Sequence, residues 1–259
     1  MAAGSRRARG RGGRRAGVTL RLLVSVRSVH EALAAARAGA HFIDLKDPAS
    51  GALGGLPPRR IARIVQALRA LYPGAPISAT IGDVPVQSRD EILRRVAAVS
   101  ACGVDYVKVG IAPGADIRAA VALLDRLSCC GTAIVPVLIA DDGIDERLVE
   151  AALQARVFPA LMLDTLDKRG GSLLQRHPRA ALAAFVERAR SRGCLAGLAG
   201  ALRAVDVAAL VALGPDFAGF RSAVCAGERA GALDADRVRD LARRLAARPG
   251  HPAIATAAS

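Results

Sequence analysis

Lysine is nearly absent from this chain of 259 residues: only Lys46, Lys108 and Lys168 occur, against thirty-four arginines. Tryptophan is missing and aromatic residues make up 3%, so the core has to be built from Ala, Val, Leu and Ile, and nucleic-acid bases would find few rings to stack on. The five cysteines (Cys102, Cys129, Cys130, Cys194 and Cys225) show no paired metal-ligand spacing. Their odd count argues against a disulfide framework and for reduced thiols in an intracellular protein. The four histidines, His30, His41, His177 and His251, stand singly with no HExxH pattern, so a metal is not expected. No apolar run approaches the length of a bilayer span, and a soluble, cytoplasmic protein is expected.

Charge is abundant but unevenly placed. Of the formal +14, six charges (Arg6, Arg7, Arg9, Arg11, Arg14 and Arg15) lie in an acid-free, Gly-rich leader before Val18, which leaves +8 for the rest. Residues 1–17 are expected to be disordered, and a flexible tail is expected over 249–259. Arg14 and Arg15 resemble a twin-arginine export signal, but Arg21 interrupts the apolar run that follows, so export is not expected. RNA contact through the leader would lack interleaved aromatics.

From Leu20 onward, apolar β-like runs alternate with Ala- and Arg-rich helical stretches, the pattern of repeated βα units on a parallel sheet. Strands are expected at Leu20 to Val26, Phe42 to Lys46, Ile77 to Asp83, Tyr106 to Ile111, Ala133 to Ala140, Ala160 to Asp164, Leu195 to Gly200 and Phe217 to Arg221. Eight strands alternating with eight helices predict a single (β/α)8 TIM barrel over residues 18–248. A doubly wound sheet is the competing fold, but the phosphate-binding glycine fingerprint after its first strand is missing.

A barrel carries its chemistry at the C-terminal ends of its strands, and the lysines follow that rule. Lys46 ends the second strand, Lys108 lies toward the end of the fourth, and Lys168 is in the loop after the sixth. Strand side chains alternate faces, so Asp44 shares a side with Lys46, and Tyr106 with Lys108, while Ile43, Leu45, Val107 and Val109 face the helices. Asp164 repeats the theme in MLDTLDK, with Lys168 four residues later. An inward Asp and Lys can be a mere space-filling ion pair. Buried pairs are poor stabilisers, however, which favours a functional reason for keeping them. Arginine holds its charge permanently, whereas a desolvated lysine can lose its proton and attack a carbonyl.

Phosphate is the expected substrate handle. The stretches LAGLAGAL (195–202) and FAGFRSAVCAGERAG (217–231) place Gly197, Gly200, Gly219 and Gly227 around the seventh and eighth strand ends, where barrels bind phosphate through backbone N–H groups. Glycines also serve ordinary turns. Gly200, Gly219 and Arg221 are the expected phosphate contacts, Arg221 through a bidentate fork.

Taken in order, IDLKDPASGALG (43–54), SATIGDVP (78–85), DYVKVGI (105–111), MLDTLDKRGGSLL (162–174), LAGLAGAL and the FAGFR segment resemble the motifs of the (5-formylfuran-3-yl)methyl phosphate synthase family. The resemblance runs from about Leu22 to Leu245. It implies a TIM-barrel lyase that condenses two glyceraldehyde 3-phosphate molecules, one first isomerised to dihydroxyacetone phosphate, for the furan of methanofuran in one-carbon metabolism. By the resemblance, Lys46 matches the Schiff-base lysine, Lys108 the proton acceptor, and Asp44, Asp164 and Lys168 the other polar groups of the site. The iminium on Lys46 would acidify the neighbouring carbon, the enamine would attack the second aldehyde, and loss of phosphate and water would close the ring. The Arg-rich leader and VLIADDGIDERL (137–148), with Asp141 and Asp142, depart from the pattern.

The expected partners are therefore phosphorylated trioses rather than a membrane or nucleic acid, with a homo-oligomer left open. Another class I aldolase or a triose-phosphate isomerase-like barrel would use the same lysines and differ in product. An RNA-associated protein would instead show salt-sensitive binding that disappears on removal of residues 1–17.

Overall fold

The computed structural model describes residues 20–246, apart from 113 and 115. The expectations for the leader over 1–17 and the tail over 249–259 fall outside the described residues. Eight strands are described: β1 (Arg21–Val26), β2 (Phe42–Leu45), β3 (Ile77–Thr80), β4 (Tyr106–Ile111), β5 (Ile134–Ile139), β6 (Ala160–Asp164), β7 (Leu195–Leu198) and β8 (Phe217–Phe220). They pair in parallel in sequence order, and β8 returns to β1 to close the barrel. The (β/α)8 expectation is met.

The helices are α1 (Val29–Arg37), α2 (Pro58–Leu71), α3 (Arg89–Ser100), α4 (Ile117–Ser128), α5 (Glu146–Gln154), α6 (Leu173–Arg176), α7 (Arg179–Ser191), α8 (Val207–Leu213) and α9 (Ala235–Ala246). Their starts follow local chemistry. Ser28 caps α1 by accepting from the Glu31 N–H at 3.2 Å, and Asp116 caps α4 by accepting from Ala119 N–H at 2.9 Å. Pro58 opens α2, where a missing N–H costs nothing. The described residues hold nine α-helices rather than the eight expected, because the one-turn α6 forms in the loop between β6 and α7.

Strand alternation sorts the apolar residues into two shells. Outward residues such as Ile43, Leu45, Ile77, Val107 and Val109 join the helix faces in one large core. Leu23, Val135, Val137, Ala160, Met162 and Phe217 form a separate cluster inside the barrel. Each fully buried Leu, Ile or Val contributes roughly 2 kcal/mol of apolar burial. Leu53, from the loop after β2, joins the inner cluster. Gly110 makes room for it: a Cβ there would stand 2.6 Å from Leu53 Cδ1, so the residue that folds this loop over the barrel depends on an absent side chain in β4.

Candidate active site

Register places the first polar group. Asp44 lies opposite Ser25 of β1 and Ser78 of β3. All three point inward, and both hydroxyls donate to the carboxylate, at 3.0 and 2.7 Å. Lys108, inward on β4, donates to the same carboxylate at 3.1 Å, and the side chains of this pair are 3% and 0% exposed. Burial pushes the Asp44 carboxyl up, but Lys108, Lys46 and the Ser78 hydrogen bond outweigh it and hold it below its ordinary value.

Lys46 stands one residue past β2 and keeps the strand hydrogen bond, donating its backbone N–H to Val26 O at 2.9 Å. Its side chain is buried, and among the described residues its amine makes no ion pair or hydrogen bond. Burial brings its pKa down to about 8; Lys168 and Lys108 act in the same direction, while Asp164 and Asp44 pull against them.

Across the barrel, Asp164 ends β6. It accepts from Lys168 Nζ at 2.5 Å and from Thr165 N–H at 2.8 Å, and Lys168 also donates to the Thr165 carbonyl. Burial raises the Asp164 carboxyl, yet the lysines, Lys168 foremost, bring it below the ordinary carboxylate range. All three lysines and both aspartates line one pocket at the C-terminal mouth. Two amines are thus occupied by carboxylates and the third is not.

Gly200, Gly219 and Arg221 line the same pocket. Gly200 holds φ +103°, a backbone region that other residues avoid, and its neighbour Ala201 has φ 48°. Among the described residues, the N–H groups of Gly200, Ala201 and Leu202 bond to nothing else. Consecutive free N–H groups around a left-handed turn form a concavity suited to an anion.

Arg221 behaves differently from the expectation. Its guanidinium donates to Glu31 Oε2 and Oε1 at 2.6 and 3.2 Å, to Ser25 O at 3.0 Å, and to Arg229 O and Gly231 O, both at 2.9 Å. All five N–H donors are spent, so no bidentate contact to phosphate is left to it. It instead ties the loop after β8 to α1. That loop carries Arg229, a pocket residue that sequence reasoning did not select. Arg229 reaches across to the Gly51 and Ala52 carbonyls with Nη2, at 3.2 and 3.1 Å, and its Nε and Nη1 have no partner among the described residues.

Among the described residues, no group of three or more His, Cys, Asp and Glu side chains is arranged to hold a metal ion, and no helix is long and apolar enough to cross a membrane.

Comparison with known proteins agrees with the motifs. The phosphoribosyl anthranilate isomerase of Thermus thermophilus superposes with a TM-score of 0.61 at 18% identity, covering 88% of this chain and 98% of its own, which shows the barrel fold alone. A Methylorubrum extorquens relative is 40% identical over 230 residues, covering 88% of this chain and 93% of its own. The (5-formylfuran-3-yl)methyl phosphate synthase of Methanopyrus kandleri is 35% identical over 247 residues, covering 87% and 99%. That of Methanocaldococcus jannaschii is 31% identical over 236 residues, covering 85% and 97%. The sequence model described as 4-HFC-P synthase matches residues 22–242, a span that takes in all eight strands but for Arg21 at the start of β1 and includes Asp44, Lys46, Lys108, Asp164 and Lys168, and this chain belongs to that family.

Proposed function

We propose that the protein is a lyase that condenses two glyceraldehyde 3-phosphate molecules, one first isomerised to dihydroxyacetone phosphate, to (5-formylfuran-3-yl)methyl phosphate through an imine on Lys46. The observation that carries this reading is the asymmetry among the amines: Lys108 and Lys168 each hold a carboxylate, while Lys46 is buried without one. A lysine titrating at about 8 is roughly one-tenth neutral at pH 7, against roughly 0.04% for an ordinary one. Only the neutral amine adds to a ketone.

The remaining groups fit the later steps. The iminium draws electrons from the adjacent carbon, whose proton passes to the hydrogen-bonded Lys108–Asp44 pair. The enamine then forms the new carbon–carbon bond at the aldehyde of the second triose. Lys168, paired to Asp164 on the opposite wall, donates protons to departing oxygens. Two trioses bring two phosphates and the furan keeps one, so inorganic phosphate and two waters leave as the ring closes and Lys46 is released. The N–H groups of Gly200 to Leu202, with Arg229, hold a substrate phosphate. The product suits a role in methanofuran-type cofactor synthesis.

The test is direct. Purified protein incubated with glyceraldehyde 3-phosphate alone releases inorganic phosphate and a furan-aldehyde chromophore in equal amounts. If neither forms, the substrate assignment fails, and a simple aldol or isomerised triose would point to another class I barrel.

A further inference from the structure

Lys168 does not belong to a strand. It sits on a short loop between β6 and α6 whose side chains offer little packing: Leu166 is 43% exposed, and Asp167, Arg169 and Gly170 are exposed as well. What holds the loop is a carboxylate on the neighbouring strand's extension. Asp141, just past β5, accepts from the consecutive N–H groups of Leu166 and Asp167, with Oδ2 and Oδ1 at 2.6 and 2.8 Å. Arg176 of α6 then bridges the two acids, lying 3.7 Å from Asp141 Oδ1 and 2.5 Å from Asp167 Oδ2. Asp167 in turn accepts from Arg169 and Gly170 N–H groups at 2.8 and 3.2 Å. Lys168 lies inside this fastening, while Asp141 and Arg176 are outside the pocket lining.

We propose that Asp141 is a positioning residue: by clamping the backbone immediately before Lys168, it keeps that amine against Asp164 and beside Lys46. This rests on the reading of Lys46 as the imine-forming amine, and it assigns a task to a residue on the one βα unit that departs from the family motifs. Two charge-assisted hydrogen bonds to backbone are a strong fastening for an otherwise exposed loop, and outer groups of this kind commonly set the orientation of the inner ones.

The three-lysine composition makes the test clean. With carbon-13 at lysine Cε, full-length protein gives three side-chain resonances that can be titrated without substrate. The groups facing Lys46 are Asp164 and Lys168 on one side, Asp44 and Lys108 on the other, with Arg221 and Arg229 across the pocket. In Asp141→Asn, whose amide presents N–H to a backbone N–H, Lys168 should leave Asp164 and its resonance should move. Lys46 then loses a like charge and gains a freed carboxylate, so its titration midpoint rises from about 8. Lys108, held by Asp44, should stay in place. Turnover should fall about tenfold with a smaller change in KM.

Unchanged Lys46 and Lys168 resonances in folded Asp141→Asn overturn the proposal, and so does an equal movement of all three lysines, which would mean general loosening. Should Asp141→Asn not fold, Arg176→Met at the outer bridge carries the same pattern at smaller size, and its absence there overturns the proposal equally. Because the titration needs no substrate, failure of wild-type protein to make a furan would sink the proposed reaction and leave this result standing.

Discussion

Replacing Lys46 with methionine should make the protein more stable and abolish imine formation. Methionine keeps the length and apolar stem of lysine but carries no charge. In the folded chain Lys46 titrates at about 8, against an ordinary value of 10.5. A base whose folded pKa lies below its unfolded one is held charged at a cost. That cost is complete below the folded value and disappears as pH rises to the unfolded one, because there the unfolded chain binds the proton and the folded chain does not. The gap corresponds to about 3 kcal/mol at pH 7, about 2 kcal/mol at pH 9, and under about half a kcal/mol at pH 10.5. Urea denaturation of wild type and Lys46→Met at several pH values between 6.5 and 10 measures this difference directly, provided the transitions are two-state. The variant should lead by about 3 kcal/mol near neutrality, with the lead closing as pH rises. A variant no more stable than wild type, or a lead that does not change with pH, would refute the claim that Lys46 is kept as a strained, desolvated amine.

Asp44→Asn should act in the opposite sense, costing about 3–5 kcal/mol by leaving Lys108 charged and unpaired in the barrel, and adding Lys108→Met should recover most of it by denaturant titration. Arg229→Ala should raise KM for the phosphorylated substrate about tenfold to a hundredfold with the fold intact, whereas Arg221→Ala should lower stability because Glu31 loses its buried partner and keeps only Arg27; equal KM effects without loss of stability in Arg221→Ala would return the phosphate contact to Arg221. The acid limb of kcat/KM against pH should have its midpoint close to 8, set by the free Lys46 amine, and a profile flat from pH 6 to 9 would contradict that assignment.

The barrel was legible because its two periodicities are strong: strand residues such as Ile43/Asp44/Leu45/Lys46 alternate between an apolar outer shell and a polar interior. The three lysines were legible because arginine occupies nearly every other cationic position. Their carboxylate partners follow from the same alternation, since Asp44 is inward at the next-to-last position of β2 and Asp164 ends β6. The expected strands overrun the observed ends most at β3 and β7, where the chain turns away from the ladder into loops that shape the mouth. Arg221 lies at the pocket end of β8 as its alternation with Gly219 implies, but its task depends on Glu31, which lies on α1 at the far end of the sequence and meets it only when β8 closes on β1. Arg229 and Asp141 act through backbone carbonyls and N–H groups of distant loops, contacts that leave no pattern of residue types. The same holds for Ser25 and Ser78, which become partners of Asp44 only through strand register.

The central claim is that one particular amine captures the ketone. Incubation with dihydroxyacetone phosphate followed by borohydride reduction and peptide mass mapping tests it. The account predicts a single adduct on the peptide containing Lys46 and none in Lys46→Arg; an adduct on Lys108 or Lys168, or undiminished labelling of Lys46→Arg, would contradict it.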